Sequence, residues 1–283
     1  MTKTVKTRLF NLSSETADVM YNGSMKSWGV WTIPNFVNYD ESIEDIYFRI
    51  SHAEVPNSFY IINGKNNRLS ITDGTIVSHY DVPYGNYNVK SFLFTMKQLL
   101  PLSFSIAYST IMNKFTITNS THFEVLSSSS ISKIMGLSST ANMSSSVIAP
   151  FVLQLPYVVS FLPTARLNFR SSSLQLENYH SNDNSNDVFL SLQNSSVHES
   201  MILYHNVSGL QHYVTIQNLN KLDIRITDDS NDCIDFNNVD WYVTIRIDVY
   251  HATNDEKKNN FTNIIKTNNT KLLADTIDPL DRN

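Results

Sequence analysis

Residues 43–64 read IEDIYFRISHAEVPNSFYIING and carry the clearest strand pattern of the chain. Ile46, Phe48 and Ile50 recur at every second position, with polar or amphipathic residues between them. This alternation is typical of a β-strand that turns one face to a core and the other to solvent. Pro56 follows, and because proline cannot donate a hydrogen bond to a neighbouring strand, it predicts a strand end or a bulge. The stretch therefore predicts one strand of an antiparallel sheet.

Short strands of the same kind recur through the second half of the chain. Segments with this pattern are LQLPYVVSF, ARLNFRSSSLQL, VFLSLQ, MILYHNV, HYVTIQ, KLDIRIT and DWYVTIRIDVYHA, with polar turns between them. The chain also holds 15 Phe and 14 Tyr, residue types that are enriched in strands. Repeated short strands separated by polar turns are typical of a β-sandwich or a β-barrel. We therefore predict an all-β protein built from antiparallel strands.

Residues 82–137 depart from this pattern. Their first part, VPYGNYNVKSFLFTMKQLLP, has apolar residues spaced for one face of a helix, which Asn86 or Asn88 can cap and Pro101 ends. FSIAYS and KFTITN then form a hairpin, FEVLSS adds a third strand, and SSSISKIMGL predicts a second short helix that stops at Gly136. We predict a compact α+β unit here, because a helix laid over a small sheet covers one of its faces.

The two ends of the chain are polar and weakly patterned. Residues 1–27 predict a leading arm that is ordered against a neighbour, residues 28–251 the β-sandwich, and residues 252–283 a charged, Asn-rich surface tail. Apolar side chains clustered within the polar ends are the candidate interface residues. They are Leu9, Phe10 and Leu12 in the arm and Phe261, Ile264, Ile265, Leu272 and Leu273 in the tail. Trp28 and Trp31, on the first aromatic strand, are expected in the core.

Composition argues against several classes of function. The 283 residues carry a net charge of −5 and no basic stripe, so direct binding of nucleic acid is not expected. Cys233 is the only cysteine, so the chain forms no internal disulfide, which fits folding in a reducing compartment. No apolar run is long enough to predict a signal peptide or a membrane-spanning helix.

The sequence offers no catalytic, cofactor-binding or metal-binding residue that we would assign, and we do not expect an enzyme. It has no GxSxG, P-loop or GxGxxG motif. His205 and His212 flank a turn and could meet at a metal, but a zinc site needs further ligands. The acidic turns at 178–187 and 227–238 could bind calcium, although their spacing favours solvated turns. Cys233, next to a strand, predicts a buried structural thiol.

Several short motifs are more specific than the strand pattern. They are Gly85-Asn86-Tyr87, a helix that ends in Leu99-Leu100, then Tyr108, Asn113-Lys114-Phe115-Thr116-Ile117, Gly136-Leu137, and Ile234-Asp235-Phe236 with Asp240-Trp241. In this arrangement the chain resembles the penton and minor capsid proteins of virophages, polinton-like viruses and large eukaryotic DNA viruses. The main match covers about 55 residues around the α+β unit, and the last motif resembles the closing strand of such proteins.

The resemblance implies an antiparallel jelly-roll β-sandwich with the α+β unit inserted between its strands. It implies a structural capsid protein, specifically the penton, five copies of which close a fivefold vertex of an icosahedral shell through a ring-closing interface. The partners would be the other copies of a homopentamer and neighbouring major capsid proteins. The location would be the virion, after synthesis in the host cytoplasm. A contact with an inner membrane stays open, and no cofactor is implied.

Two other classes of function remain as alternatives. A receptor- or glycan-binding β module, such as a fibre or lectin-like protein, would be a monomer or trimer with an aromatic, concave sugar site. A β-rich hydrolase would need two carboxylates that converge in a cleft. The acidic residues in apolar settings are Glu54, Glu124 and Glu177.

Overall fold

The computed structural model describes residues 4–37, 43–162, 164–174, 187–214 and 219–251. Its strands are β1 (Thr4–Ser13), β2 (Val19–Met20), β3 (Trp28–Val37), β4 (Ile43–Pro56), β5 (Arg68–Thr72), β6 (Val77–Asp81), β7 (Phe104–Ser109), β8 (Lys114–Asn119), β9 (Glu124–Val125), β10 (Met143–Ser144), β11 (Phe151–Gln154), β12 (Arg166–Arg170), β13 (Val188–Gln193), β14 (Met201–His205), β15 (His212–Tyr213), β16 (Leu219–Thr227) and β17 (Tyr242–His251). The helices are α1 (Val89–Leu99) and α2 (Ser132–Met135), with two 3-10 turns at Ser14–Thr16 and Gly23–Met25.

The chain divides into two compact units. The first contains the described residues of Met1–Pro56, Arg166–Gln193 and Met201–Asn283. Its first sheet has the strand order β1-β17-β4-β14, with β15 also paired to β4, and its second sheet has the order β13-β12-β16-β3-β2. All of these pairings are antiparallel.

Eight strands form the body of the first unit. They are β1, β3, β4, β12, β13, β14, β16 and β17. Numbered one to eight along the chain, they lie in the order 1-8-3-6 in the first sheet and 5-4-7-2 in the second. This double Greek key in two sheets is the jelly-roll topology. The predicted fold class, an all-β antiparallel jelly-roll sandwich, is therefore confirmed.

Aromatic side chains connect the two sheets of the first unit. The rings of Phe48 on β4 and Phe189 on β13 meet edge to face with centroids 5.3 Å apart. Trp241, just before β17, is fully buried and its ring lies 5.6 Å from that of Trp31. Such pairs stabilise a core beyond the area that they bury. Trp31 is a core residue as expected, whereas Trp28 is only half-buried.

Residues Thr4–Ser13 form part of this sandwich. The sequence favours an arm over residues 1–27, but the structure places Thr4–Ser13 in β1, which pairs with β17 along its whole length. The partner strand is far away in sequence, since Thr7 and Asp248 meet although 241 positions separate them. A weakly patterned segment gives no local sign of a pairing at this distance, so its sequence alone looks like an arm.

The second unit contains Asn57–Ala165 and Asn194–Ser200. It has one sheet in the order β10-β9-β5-β6 and another in the order β11-β8-β7. The sequence places an insertion at 82–137, and the observed unit is wider because β5 pairs with β6 and β9 rather than with a strand of the sandwich. By residue pattern alone, β5 and β6 look like any other strands of the sandwich.

Helix α1 lies where the sequence predicts it. The Asn88 side chain accepts hydrogen bonds from the backbone N–H groups of Lys90 and Ser91, which satisfies donors that have no partner inside the helix. Phe92 and Met96 on its apolar face are fully buried. Among the described residues, no helix is long and apolar enough to cross a membrane.

Candidate subunit interface

The first sheet of the jelly roll buries one side, and we call the opposite side the outer face. In β17, Val243, Ile245, Ile247 and Val249 are buried, so the residues between them lie on the outer face. Residues directly opposite each other in antiparallel strands point to the same side of the sheet. The partners of these β17 residues therefore identify the outer-face residues of the other strands. The outer face comprises Val5, Thr7, Leu9 and Asn11 of β1, Tyr242, Thr244, Arg246, Asp248 and Tyr250 of β17, Tyr47, Arg49, His52 and Glu54 of β4, Leu203 and His205 of β14, and Tyr213 of β15.

Both ends of the outer face carry exposed leucines. Leu9 on β1 is 62% exposed and Leu203 on β14 is 61% exposed. These strands stand at opposite ends of the sheet order. An edge strand offers backbone hydrogen-bonding groups to whatever lies beside it, and natural proteins blunt such edges with charge rather than with leucine. The two edges therefore have the properties of contact surfaces.

Tyrosines form a group on the outer face. The ring of Tyr47 lies 5.4 Å from that of Tyr250 and 5.9 Å from that of Tyr213, both in edge-to-face geometry. The three residues come from β17, β4 and β15, and Tyr213 is 40% exposed. Tyrosine is enriched at protein interfaces because a rigid ring gives a large contact area and its hydroxyl still finds a polar partner.

A polar network is fixed in the middle of the outer face. The Asp248 carboxylate accepts hydrogen bonds from the Thr7 hydroxyl at 2.6 Å and from Arg246 Nε at 2.9 Å, and Arg49 lies 3.5 Å away. Burial disfavours the charged carboxylate, but these hydrogen bonds and the two arginine charges outweigh it and hold the pKa of Asp248 below its usual value. The network orders these side chains before any partner arrives, which lowers the entropy cost of binding.

Two histidines face each other across the β4–β14 ladder. His52 Nδ1 lies 3.1 Å from His205 Nδ1, and His52 Nε2 lies 2.7 Å from Glu54 Oε1. In the neutral pair His52 donates from Nε2 to Glu54, so its Nδ1 accepts the proton of His205 Nδ1. His205 does not meet His212. His212 is on β15, where it lies opposite Phe48 of β4, and burial lowers its pKa.

Other residues with possible chemistry are held in structural roles. Glu54 contacts His52, Glu124 accepts a hydrogen bond from Ser144, and Glu177 lies outside the described residues. In the described part of the chain, no group of three or more His, Cys, Asp or Glu side chains is placed to hold a metal ion.

The acidic turns and the cysteine also take structural places. Asp228 closes its turn by accepting hydrogen bonds from the backbone N–H groups of Ser230 and Asp232. Asp187, the last residue of the other acidic turn, pairs with the buried guanidinium of Arg170. Cys233, expected to be buried, is a free thiol of intermediate exposure.

The sequence-predicted interface residues have different surroundings. Leu9 is exposed on the outer face, Phe10 is half-buried, and Leu12 is 8% exposed and part of the core. Phe261, Ile264, Ile265, Leu272 and Leu273 lie outside the described residues. Leu203 and the tyrosines of the outer face were not predicted. The alternation in IYFRI, residues 46–50, points Tyr47 away from the core. This pattern was the sequence signal from which its place on the outer face could have been predicted.

The strand order and the outer face together define a single jelly-roll module with an inserted α+β unit. No family model matches the chain, and no curated protein matches it. Among solved structures, it is similar to the selenomethionine-labelled mavirus penton protein, with 12% sequence identity and a TM-score of 0.45 over 86% of this chain and 99% of that chain. The jelly-roll topology of this chain rests on the strand pairing described above.

Proposed function

We propose that this chain is a structural capsid protein and that it is the penton, five copies of which close a fivefold vertex of an icosahedral shell. The observation that carries the proposal is the outer face with its two leucine-bearing edges. A jelly roll hosts capsid proteins, lectins and enzymes alike, so the function must be argued from this surface and not from the fold.

The geometry of the outer face fits a ring of identical subunits. A closed ring with rotational symmetry uses two different surfaces of each copy, since the front of one subunit contacts the back of the next. The β1 edge with Leu9 and the β14 edge with Leu203 are two such surfaces on one sheet. Between them, tyrosines and arginines supply the residue types that interface cores favour.

The proposal also covers the capsid proteins next to this chain and its location in the virion. The tail at 252–283, with its five apolar candidates, would contact the major capsid proteins around the vertex. The protein would be made in the host cytoplasm and reside in the virion. The net charge of −5 speaks against direct contact with the packaged nucleic acid.

Mass photometry of the purified full-length chain tests this proposal. A penton gives particles of five times the 32.3 kDa chain mass, and these persist on dilution to nanomolar concentration. A monomer or a trimer at all concentrations would contradict the penton assignment and would favour the receptor- or glycan-binding alternative. A cryo-EM map of particles would then show whether the chain occupies the vertices.

A further inference from the structure

The second unit contains a cavity of about 200 Å³ at one end of its two sheets. Ile71 and Ser78, directly paired on β5 and β6, line one side. Phe104 and Asn119, directly paired on β7 and β8, line the other. Cavities that enclose drug-sized ligands measure roughly 300–1,000 Å³, so this one suits a smaller molecule.

The β5–β6 turn fixes a carboxylate at the rim of this cavity. Asp73 Oδ1 accepts hydrogen bonds of 2.8 Å from the backbone N–H groups of Thr75 and Ile76. Gly74, between Asp73 and Thr75, has a φ of +92°, which favours glycine. These hydrogen bonds hold the pKa of Asp73 below its usual value, so the group is charged at neutral pH. Because Oδ1 is occupied, Oδ2 is the oxygen left to accept from a ligand.

A buried amide in the cavity wall is incompletely satisfied. Asn119 is only 6% exposed, and its Nδ2 donates to the hydroxyl of Thr121, which also lines the cavity. Its Oδ1 has no hydrogen-bond partner among the described residues. A buried polar atom without a partner costs about 1–3 kcal/mol, and nearly all such atoms in native proteins find one. Because this oxygen is itself shielded from solvent, the amide forms part of the wall and offers no acceptor to a molecule in the cavity.

The rest of the wall combines aromatic rings with hydroxyl groups. Tyr80 and Phe104 are half-buried, and Phe104 packs edge to face on Phe123 with ring centroids 5.3 Å apart. Ser78 and Ser103 add hydroxyls that can donate or accept. The cavity thus offers apolar rings, several neutral hydroxyls and one carboxylate within a small volume.

We propose that this cavity binds one neutral hexopyranose ring. A pyranose has a face of C–H groups that packs on an aromatic ring and a rim of hydroxyls that can donate to the Asp73 carboxylate and exchange hydrogen bonds with the hydroxyls of the wall. Asp73 is the one charged residue in the wall, so it repels anionic sugars such as uronic or sialic acids. This binding is independent of the proposed penton function, because the cavity lies wholly within the second unit.

Ligand-observed NMR with the full-length chain tests the proposal. The probes are the methyl glycosides of glucose, galactose, mannose and N-acetylglucosamine, with methyl glucuronide as the anionic comparison. At least one neutral glycoside is expected to bind with a dissociation constant on the order of 1 mM, as befits a ligand of this size. The glucuronide is expected to bind at least tenfold more weakly.

Two variants locate the binding. Asp73→Asn keeps the Oδ1 acceptor of the turn but removes the charge, and is expected to weaken binding about tenfold, because hydrogen bonds to charged groups are stronger than neutral ones. Ser103→Trp, at an exposed position of the wall, is expected to abolish binding by filling the cavity. Asp81→Asn removes a carboxylate from the same strand pair outside the wall, at its ion pair with Arg68, and is expected to bind like the parent chain.

The outcomes that overturn the proposal are specific. They are absence of binding for all neutral glycosides, equal binding to the parent chain and the Ser103→Trp variant, or preference for tetramethylammonium, which would assign the carboxylate and the aromatic rings to a cation site. A disaccharide with the preferred sugar at its non-reducing end separates two sources of ligand. Retained affinity indicates glycan ends, and lost affinity indicates free sugars.

Discussion

The Asp248 carboxylate and the Thr7 hydroxyl are joined by a hydrogen bond of 2.6 Å, although 241 positions separate them in the chain. This contact ties β1 to β17 on the outer face and places the first strand of the jelly roll beside the last. The same carboxylate neutralises charge from Arg246 and Arg49, so three strands meet at one buried anion. Its protonation state therefore bears on how firmly the outer face is ordered.

We predict that Asp248 makes the stability of the protein fall at acid pH. Its folded-state pKa lies below the unfolded value of about 3.9, so its contribution is complete above that pH and is lost as the pH falls through the folded pKa. Asp248→Asn should lower the free energy of unfolding by about 1–3 kcal/mol at pH 7, and the gap to the parent chain should narrow as the pH falls below about 3.9. Urea unfolding between pH 3 and 7, at one protein concentration, measures this.

Asp81→Asn is the matched control, because Asp81 is also paired with an arginine and its pKa is also lowered, but it lies on the exposed surface. Exposed ion pairs contribute little, so this variant should follow the parent chain across the pH series. A constant gap between Asp248→Asn and the parent from pH 7 to pH 3 would show that the charge of Asp248 is not the source of its effect.

A second carboxylate, Asp223 on β16, organises the loop after β12. It accepts hydrogen bonds from the hydroxyls of Ser171 and Ser172 and from the backbone N–H groups of Ser172 and Ser173. Asp223→Ala should therefore destabilise the protein by about 2–4 kcal/mol, because it leaves several donors without an acceptor. Chemical denaturation measures the loss.

Ser172→Ala serves as the graded comparison for Asp223→Ala. It removes one hydroxyl donor and leaves the carboxylate with its other partners, so the expected loss is about 1 kcal/mol. Equal losses for the two variants would mean that the carboxylate does not act as a shared acceptor.

The local pattern of the sequence was sufficient for single elements. Helix α1 is capped by Asn88, one of the two candidates that the sequence offered. The alternation around Phe48 predicts a strand with one buried side, as the structure shows. These features depend on neighbours within a few positions, where side-chain spacing directly reports the backbone geometry. The motifs on which the capsid resemblance rests are also short, and they lie in the second unit except for the last one, at 234–241, which lies in the first.

Strand partners could not be read in the same way. His205 and His212 flank a short turn that suggested a hairpin, but β14 and β15 both pair with β4, so His205 lies opposite His52 instead. Strands β14 and β15 could pair with each other or both pair with β4. Packing of the whole sheet decides between these arrangements, and the turn between the two strands does not. The pairing of β1 with β17 likewise depends on the whole sheet, so the local sequence could not predict it.

The second unit provides a prediction about backbone conformation at Gly136. This residue follows α2 with a φ of +77°, and a Cβ added there would lie 2.3 Å from the carbonyl oxygen of Tyr157. Gly136→Ala should lower stability by about 3 kcal/mol or more, since it adds a backbone clash to the cost of a left-handed conformation. Thermal unfolding measures the effect.

Gly74→Ala separates the two contributions, because Gly74 has a φ of +92° and open space around its Cβ position. It should cost only about 1–2 kcal/mol, the conformational part. If Gly136→Ala proves as mild as Gly74→Ala, the close approach of Tyr157 does not constrain the protein.

The outer face yields the prediction that bears most directly on assembly. Leu9→Glu or Leu203→Glu places a charge on an edge that we assign to a subunit contact, where it would be buried without a partner. Either substitution should shift mass photometry from pentamer to monomer, by at least a hundredfold in dissociation constant. Because both leucines are more than half exposed in the isolated chain, folding should be preserved, and far-UV circular dichroism checks this.

The control for these variants is Leu102→Glu, a fully exposed leucine in the second unit and outside the outer face. It should leave the pentamer intact, because it adds the same charge to the chain without touching either edge. A pentamer that survives Leu9→Glu and Leu203→Glu combined in one folded chain would move the subunit contact away from the outer face. A pentamer lost equally in Leu102→Glu would attribute the effect to added charge rather than to the edges of the sheet.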